Sequence, residues 1–255
     1  MLLAIDIGNT NITLGVFEDD KLRATWRVAT GMHRMIDEYD VLLISLLRQK
    51  GMDITDITKG ALCSVVPPLT AIFEELVQRY SHISPLVIGS GVKTGVSIRM
   101  DNPREVGADR IVNVAAAHHL YGCPVIIIDM GTAITFDTVS KEGNYIGGVI
   151  APGVATAAEA LFARAAMLPR VEMTRPKRVI GSNTVAAMQS GITFGYISLV
   201  EGIVNRIQQE LGDKARVIAT GGFADIVANE SKVIDAVNPD LTLIGLRLIY
   251  QMNRP

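Results

Sequence analysis

The sequence predicts an α/β protein built by internal duplication, and three observations carry that reading. Short apolar runs rich in β-branched residues alternate with stretches of helical periodicity. Two of those runs end in the same device, Asp6-Ile-Gly-Asn-Thr and Asp129-Met-Gly-Thr-Ala, each followed by a further β-branched run. The 23 glycines of the 255-residue chain gather in short clusters beside Asp and Thr. A β-meander followed by α/β elements, used twice, accounts for all three. Chance recurrence of strand-turn-strand is the competing explanation on this pattern alone.

In order, Leu2 to Ile7 is an apolar run broken at Gly8. Asn11 to Phe17 resumes with β-branched residues before the acidic turn Glu18-Asp19-Asp20, and Leu22 to Val28 follows as a third strand. Asp37 to Lys50 has helical periodicity and stops at Gly51. Lys59 to Val66 reads as a strand, Pro68 to Tyr80 as a helix opened by proline, and Leu86 to Ile88 as a short strand. Asn102-Pro103-Arg104-Glu105 supplies an N-cap, a proline at the first helical position and an acid three residues after the cap, so a helix is expected to begin there. The second cycle has strands at Pro124 to Met130, Ala133 to Val139 and Tyr145 to Ile150. Helices follow at Val154 to Ala166 and Asn183 to Leu211, then a strand at Arg216 to Ala219, a Gly221-Gly222 turn and a closing helix at Leu241 to Met252. The expected division is two contiguous domains, 1–118 and 119–255.

Composition narrows the function. With 49% hydrophobic and 20% charged residues the chain has ample core material. Its net charge of −2 gives no electrostatic footprint for nucleic acid or an acidic membrane face, and 5% aromatic residues leave few rings for base stacking. The sequence opens without a basic region ahead of its apolar stretch, so no signal peptide is expected, and no run approaches the ~18 apolar residues of a membrane span. A cytoplasmic protein is the simplest expectation. The two cysteines, Cys63 and Cys123, each beside a buried-strand run, are expected as inert core thiols. Trp26 reads as core or edge-strand packing, and the adjacent His118 and His119 as structural.

The Gly clusters carry the chemistry. A strand ending in Asp-x-Gly-x-Thr places a carboxylate at its tip, while the turn's backbone N–H groups and Thr or Asn side chains are donors for phosphate oxygens. The carboxylate repels phosphate, so its role is to hold a cation, or that cation's water shell, bridging to the phosphates. Asp6, Gly8, Asn9, Thr10, Asn11 and Thr13 form one such set; Asp129, Gly131 and Thr132 form the second. Facing each other across a cleft, such turns would grip a nucleotide from both sides. Each turn alone also fits an ordinary Asp/Gly hairpin, and no Gly-Lys-Ser/Thr of a P-loop occurs. In Gly107-Ala108-Asp109-Arg110, small residues admit a ligand to the backbone and two charges flank the gap. On spacing alone these also fit solvated charges on a helix surface.

Taken together, Asp6-Ile-Gly-Asn-Thr-Asn, Ser64-Val-Val-Pro-Pro, Asn102-Pro-Arg-Glu-Val-Gly-Ala-Asp-Arg110, Asp129-Met-Gly-Thr-Ala-Ile-Thr135 and Gly147-Gly-Val-Ile-Ala-Pro-Gly153 resemble the type III pantothenate kinase family, in order and across essentially the whole chain. The resemblance implies duplicated actin-like (ribonuclease H-like) domains of the sugar kinase, heat-shock protein and actin superfamily, with the active site between them. It implies ATP-dependent phosphorylation of pantothenate to 4'-phosphopantothenate, the first step of coenzyme A biosynthesis. Carried over by position, Asp6, Ile7, Gly8, Asn9, Thr10, Asn11, Ile12 and Thr13 form the ATP phosphate loop, and Thr132 contacts ATP. Asp129 ligates a monovalent cation, K+ or NH4+, required beside a divalent cation, Mg2+. Gly107, Ala108, Asp109 and Arg110 bind pantothenate, with Thr184 as a further contact and Asp109 as the proton acceptor. A homodimer is implied, with the long helical region near the subunit contact. Two departures stand out: Met100 occupies a substrate-contacting position where the family commonly has Tyr, and Met35 a position that usually carries Thr. The competing functions are a regulator of transcription that keeps this fold without kinase activity, and a kinase of another small alcohol or acid such as a sugar or acetate.

Overall fold

β-branched and apolar runs of six to nine residues become strands, and the acidic Asp19-Asp20 turn, with Asp19 at a φ of 51°, folds the chain back between the second and third. The computed structural model describes residues 1–82 and 84–254. β1 (Leu2–Ile7), β2 (Asn11–Glu18) and β3 (Lys21–Ala29) form an antiparallel meander. α1 (Ile36–Gln49) starts with Asp37 and Glu38 in its first turn, and the Glu38 carboxylate accepts the Met35 N–H at 2.8 Å. β4 (Lys59–Ser64) pairs parallel with β1, α2 (Pro67–Ser81) opens on Pro67, and β5 (Leu86–Val87) extends the sheet to the order β3-β2-β1-β4-β5.

After β6 (Ser97–Ile98) comes α3 (Ala108–Tyr121), then the same plan again. β7 (Val125–Met130), β8 (Ala133–Val139) and β9 (Asn144–Pro152) form the second meander. They are followed by α4 (Val154–Arg164), α5 (Thr184–Leu211), β10 (Arg216–Thr220), α6 (Ala224–Ala228), β11 (Ala236–Val237) and α7 (Leu241–Asn253). α5 is capped by the Asn183 side chain, which accepts the Ala186 N–H at 2.9 Å, and it ends at Gly212 with a φ of 65°. The second sheet has the order β11-β10-β7-β8-β9-β6, which is the first sheet's order with one edge strand added. Even the burial of β1 and β7 matches residue for residue, with Asp6 and Asp129 the half-buried exceptions near each strand's end. The duplication expected from the Asp-x-Gly devices is therefore present in the topology.

Two boundaries differ from expectation. The compact units are not contiguous: the first gathers Met1–Val96, Asp101–Ala116 and the chain from Asp240 onward, and the second Ser97–Met100 and Ala117–Pro239. The closing helix α7 leaves the second half of the sequence because Leu243, Leu246 and Ile249 share a core with Leu2, Ala4, Phe17, Ala61, Val112 and Ala115. The helix expected from Asn102 is a 3-10 turn over Pro103–Glu105, and the Asn102 amide bonds the Glu105 carboxylate instead of capping a backbone N–H. α3 begins only at Ala108, so Gly107 precedes the helix and carries no helix-interior penalty.

The first sheet is covered on both faces. Leu3, Ile5 and Ile7 pack with Leu43 and Leu47 of α1 and Leu69 and Phe73 of α2. The opposite face packs on α3 and α7. Trp26 is half-buried against the first cluster from the edge strand β3. In the second unit Ile126, Ile128 and Met130 pack with Val154 of α4, Val200 and Val204 of α5, and Val227 of α6. Among the described residues no helix is long and apolar enough to cross a membrane.

Gly245 is where α7 meets α3 at backbone distance: a Cβ there would lie 2.3 Å from the Val112 carbonyl oxygen. Ala is intrinsically better than Gly in a helix by roughly 0.8–1.0 kcal/mol. Here that gain is outweighed, because a carbonyl in a helix backbone does not yield and overpacking costs about 1–3 kcal/mol. Gly245→Ala is expected to lower the melting temperature by several degrees in thermal denaturation followed by circular dichroism; an unchanged or raised value would show that α7 has room to spare.

Candidate active site

Strand alternation decides where Asp6 points. Leu3, Ile5 and Ile7 face α1 and α2, so Leu2, Ala4 and Asp6 share the other face, toward α3 and α7. Cys63 of β4 is in register with Asp6 and donates its thiol to Asp6 Oδ1 at 3.3 Å. Burial pushes the Cys63 thiol well above its ordinary range, and the carboxylates of Asp6 and Asp109 push it the same way. Two acids far apart in sequence therefore act on one buried sulfur, Asp6 through a hydrogen bond and Asp109 through its charge. Cys63 is a core thiol as expected, but it is hydrogen bonded to a candidate site carboxylate.

Asp109 is the second residue of α3, and its Oδ1 accepts the Arg110 backbone N–H at 2.8 Å. A Cβ on Gly107 would sit 2.5 Å from that oxygen, so the absence of a side chain at Gly107 makes space for the carboxylate. Gly107, Asp109 and Arg110 are half-buried. Ala108 packs against the α3–α7 core.

The first turn is closed by the Gly8 N–H, which donates to the Asn11 carbonyl at 3.0 Å. Neither Gly8 nor Gly131 adopts a positive φ, so the tightness of these two turns does not depend on left-handed backbone. A Cβ on Gly8 would lie 3.0 Å from the Asn11 carbonyl oxygen, whereas one on Gly131 would meet nothing closer than 3.7 Å. Asn9, Thr10 and Asn11 are exposed and Thr13 is half-buried. The side chains of Ile7 and Ile12, both among the expected ATP contacts, are 0% exposed in the core, which leaves their backbone groups as the parts at the turn. Sequence reasoning missed Thr30, which fastens the turn by donating its hydroxyl to the Gly8 carbonyl at 2.6 Å and its N–H to the Thr10 carbonyl at 2.9 Å. A Thr just after an edge strand carries no distinguishing local signal.

In the second unit Asp129 is half-buried and Thr132 exposed, and the Gly131 N–H closes the turn on the Ala133 carbonyl at 3.0 Å. The Thr132 carbonyl accepts the Gly153 N–H at 3.0 Å and the Thr156 hydroxyl at 2.7 Å, which holds the start of α4 against the turn. A Cβ on Gly153 would come within 2.3 Å of the Gly131 carbonyl oxygen. Gly221, at a φ of 93°, lies on the turn's other flank, where a Cβ would be 2.7 Å from the Met130 backbone. Two glycines distant in sequence, Gly153 and Gly221, thus close on Asp129-Met130-Gly131-Thr132. Thr184 is the exposed first residue of α5 in this unit. Met100 is half-buried and falls in the second unit, whereas Gly107 to Arg110 fall in the first.

The sequence model of the type III pantothenate kinase family matches residues 2–206. A protein of Dehalococcoides mccartyi named type III pantothenate kinase is 58% identical over 253 residues, which is 99% of this chain and 98% of that protein. Among solved structures, one from Campylobacter jejuni described as a Baf family transcriptional activator has a TM-score of 0.63 at 18% identity, covering 98% of both chains. Another, from Sinorhizobium meliloti and described as a 2-dehydro-3-deoxygalactonokinase, has a TM-score of 0.61 at 12% identity over the whole of both chains. At such identities these two speak for the fold alone, an actin-like and sugar-kinase-like one with two mixed sheets. The profile match and the near-full-length identity go further, and by them this chain belongs to the type III pantothenate kinase family.

Proposed function

We propose that this protein transfers the γ-phosphoryl group of ATP to the primary hydroxyl of pantothenate, supplying 4'-phosphopantothenate to coenzyme A biosynthesis. The observation that carries the reading on the structural side is that two acids act on the one buried Cys63 thiol, Asp6 at the phosphate turn through a hydrogen bond and Asp109 at the start of α3 through its charge. Phosphoryl transfer to an alcohol needs little covalent work from the protein; it needs positioning, charge neutralisation and a group to receive the hydroxyl proton.

Asp109 receives that proton. Its Oδ1 is already oriented by the Arg110 N–H, and Gly107 beside it leaves the pantothenate chain access to the backbone. Arg110 pairs with the pantothenate carboxylate through a planar, bidentate guanidinium. Gly8 to Thr13 in the first unit and Gly131-Thr132 in the second are the phosphate-facing turns of their units, with Thr184 a further substrate contact. Met100 presents an apolar surface to the substrate in place of the family's usual Tyr hydroxyl.

Among the described residues no three His, Cys, Asp or Glu side chains converge as metal ligands. One or two carboxylates plus substrate phosphates is the usual set for Mg2+, and Asp6, at its strand tip, fits that habit. Bound there, the divalent ion neutralises charge on the transferring phosphoryl group. Asp129, half-buried beside a turn of backbone carbonyls, offers hard oxygen donors of the kind K+ or NH4+ takes. A homodimer is supported by exposed aliphatic side chains in the second unit, Ile150, Met167, Val179, Ile180 and Val185. The competing reading as a non-catalytic regulator is not favoured, because Asp6, Asp109 and Asp129 are all present.

The direct test is the purified protein with ATP, Mg2+ and K+, assayed for phosphorylation of pantothenate against sugars and acetate. Turnover of pantothenate alone is expected, and turnover of a sugar or acetate in its place would overturn the reading. Asp109→Asn is expected to lower kcat by roughly 10²- to 10⁴-fold while ATP still binds; near-normal turnover would remove Asp109 as the base. Asp129→Ala is expected to abolish activation by K+, measured as rate against K+ concentration. An intact K+ response would place the monovalent cation elsewhere.

A further inference from the structure

The strand registers set four side chains in one row across the first sheet. Arg27 of β3 is opposite Thr13 of β2, Thr13 opposite Asp6 of β1, and Asp6 opposite Cys63 of β4. Residues in register share a face of a pleated sheet, so all four belong to the face on which Asp6 follows Leu2 and Ala4. At one end Cys63 is fully buried and bonded to Asp6; at the other Arg27 is exposed. Arg27 is also tied to the phosphate turn through the chain that follows it, because Thr30 bonds the Gly8 and Thr10 carbonyls.

Charge makes the position consequential. No Lys or Arg occurs between Asp6 and Asp20, so the first turn offers a polyanion only backbone N–H groups and neutral side chains, next to a carboxylate. Two neighbouring cations are engaged: Arg23 lies 3.5 Å from Glu18, and Arg34 sits over the Tyr39 ring at 5.8 Å. Arg27 has no hydrogen-bond or ion-pair partner among the described residues. An arginine side chain spans the one strand spacing, about 4.8 Å, that separates it from Thr13.

We infer that Arg27 is a further nucleotide-binding residue, its guanidinium reaching past Thr13 to the terminal phosphates held over the Gly8–Asn11 turn. The inference rests on the reading of that turn as the phosphate loop. A guanidinium suits the task because its planar donors take two phosphate oxygens at once.

The test is equilibrium binding of ATP and AMP to the intact protein without pantothenate, together with steady-state kinetics, for the parent, Arg27→Gln, Arg27→Lys and Arg23→Gln. In Arg27→Gln the Kd for ATP is expected to rise tenfold or more, in the range for losing a charge-assisted hydrogen bond. AMP affinity, the KM for pantothenate and the melting temperature are expected to stay within twofold or unchanged. Arg27→Lys retains the charge and is expected to recover part of the loss, and Arg23→Gln is expected to match the parent. An Arg27→Gln protein that binds ATP within twofold of the parent overturns the inference while leaving the phosphate-loop reading intact. Equal losses for ATP and AMP overturn it as well, since terminal phosphates would then not be what Arg27 touches. A parent that binds no ATP overturns the phosphate-loop reading itself, and the inference with it.

Discussion

A strand covered on both faces has no room for a charge except near its end, where the sheet gives way to a turn. β1 and β7 each carry a single charged residue, and each puts it one position before the last. Everything around the candidate site follows from that placement. Alternation assigns Asp6 to the α3–α7 face, register brings Cys63 and Thr13 alongside it, and the exposed turn of Asn9 to Asn11 follows just beyond the carboxylate. The thiol of Cys63 is a fitting neighbour. It is small enough for a 0% exposed site, and with its pKa raised by burial and two acids it stays a proton donor to Asp6.

Glycine serves the candidate site and its packing by the side chain it lacks, and elsewhere by its backbone freedom. Gly107 leaves space for the Asp109 carboxylate, Gly153 lets the start of α4 rest on the Gly131-Thr132 turn, and Gly245 lets α7 reach α3. Only Gly221, of the glycines at the two turns and their flanks, combines a positive φ with a close backbone contact. At Gly153, Gly221 and Gly245 glycine therefore marks a close approach between segments distant in sequence.

The two units share a plan but not its details. Three residues separate β1 from β2, whereas two separate β7 from β8. Thr13 and Thr135 are equivalent partners of Asp6 and Asp129, yet two residues further along, Gly15 lies under Leu243 of α7 while its counterpart Asp137 is a fully buried acid. Asp137 is satisfied by the Tyr145 hydroxyl at 2.5 Å and the Thr135 hydroxyl at 3.2 Å. One sheet has thus spent this position on helix packing and the other on a buried polar network. The first unit also recruits the end of the chain, since α7 supplies the apolar cover that Leu2, Ala4 and Ala61 need.

Element type, order and the Asp-Gly devices were legible in the sequence because each rests on local signals: period-two runs, a proline at a helix start, an Asn cap before α5. The motif set also carried the family, since its members keep their chain order. Where local signals competed, reading from sequence failed, as at Asn102, whose side chain bonds Glu105 and leaves only a 3-10 turn. Nothing local distinguished Cys63 from any other core thiol, Thr30 from any loop threonine or Arg27 from any surface arginine. Their places depend on strand register and on which helix covers which face, and these are set by burial of apolar surface summed over the whole unit. The sequence by itself determined the parts and the chemistry they carry. The tertiary structure alone decided that Asp6 bonds a buried thiol which also feels the charge of Asp109, because only packing and register set the end of β1 beside the end of β4 and within reach of the start of α3.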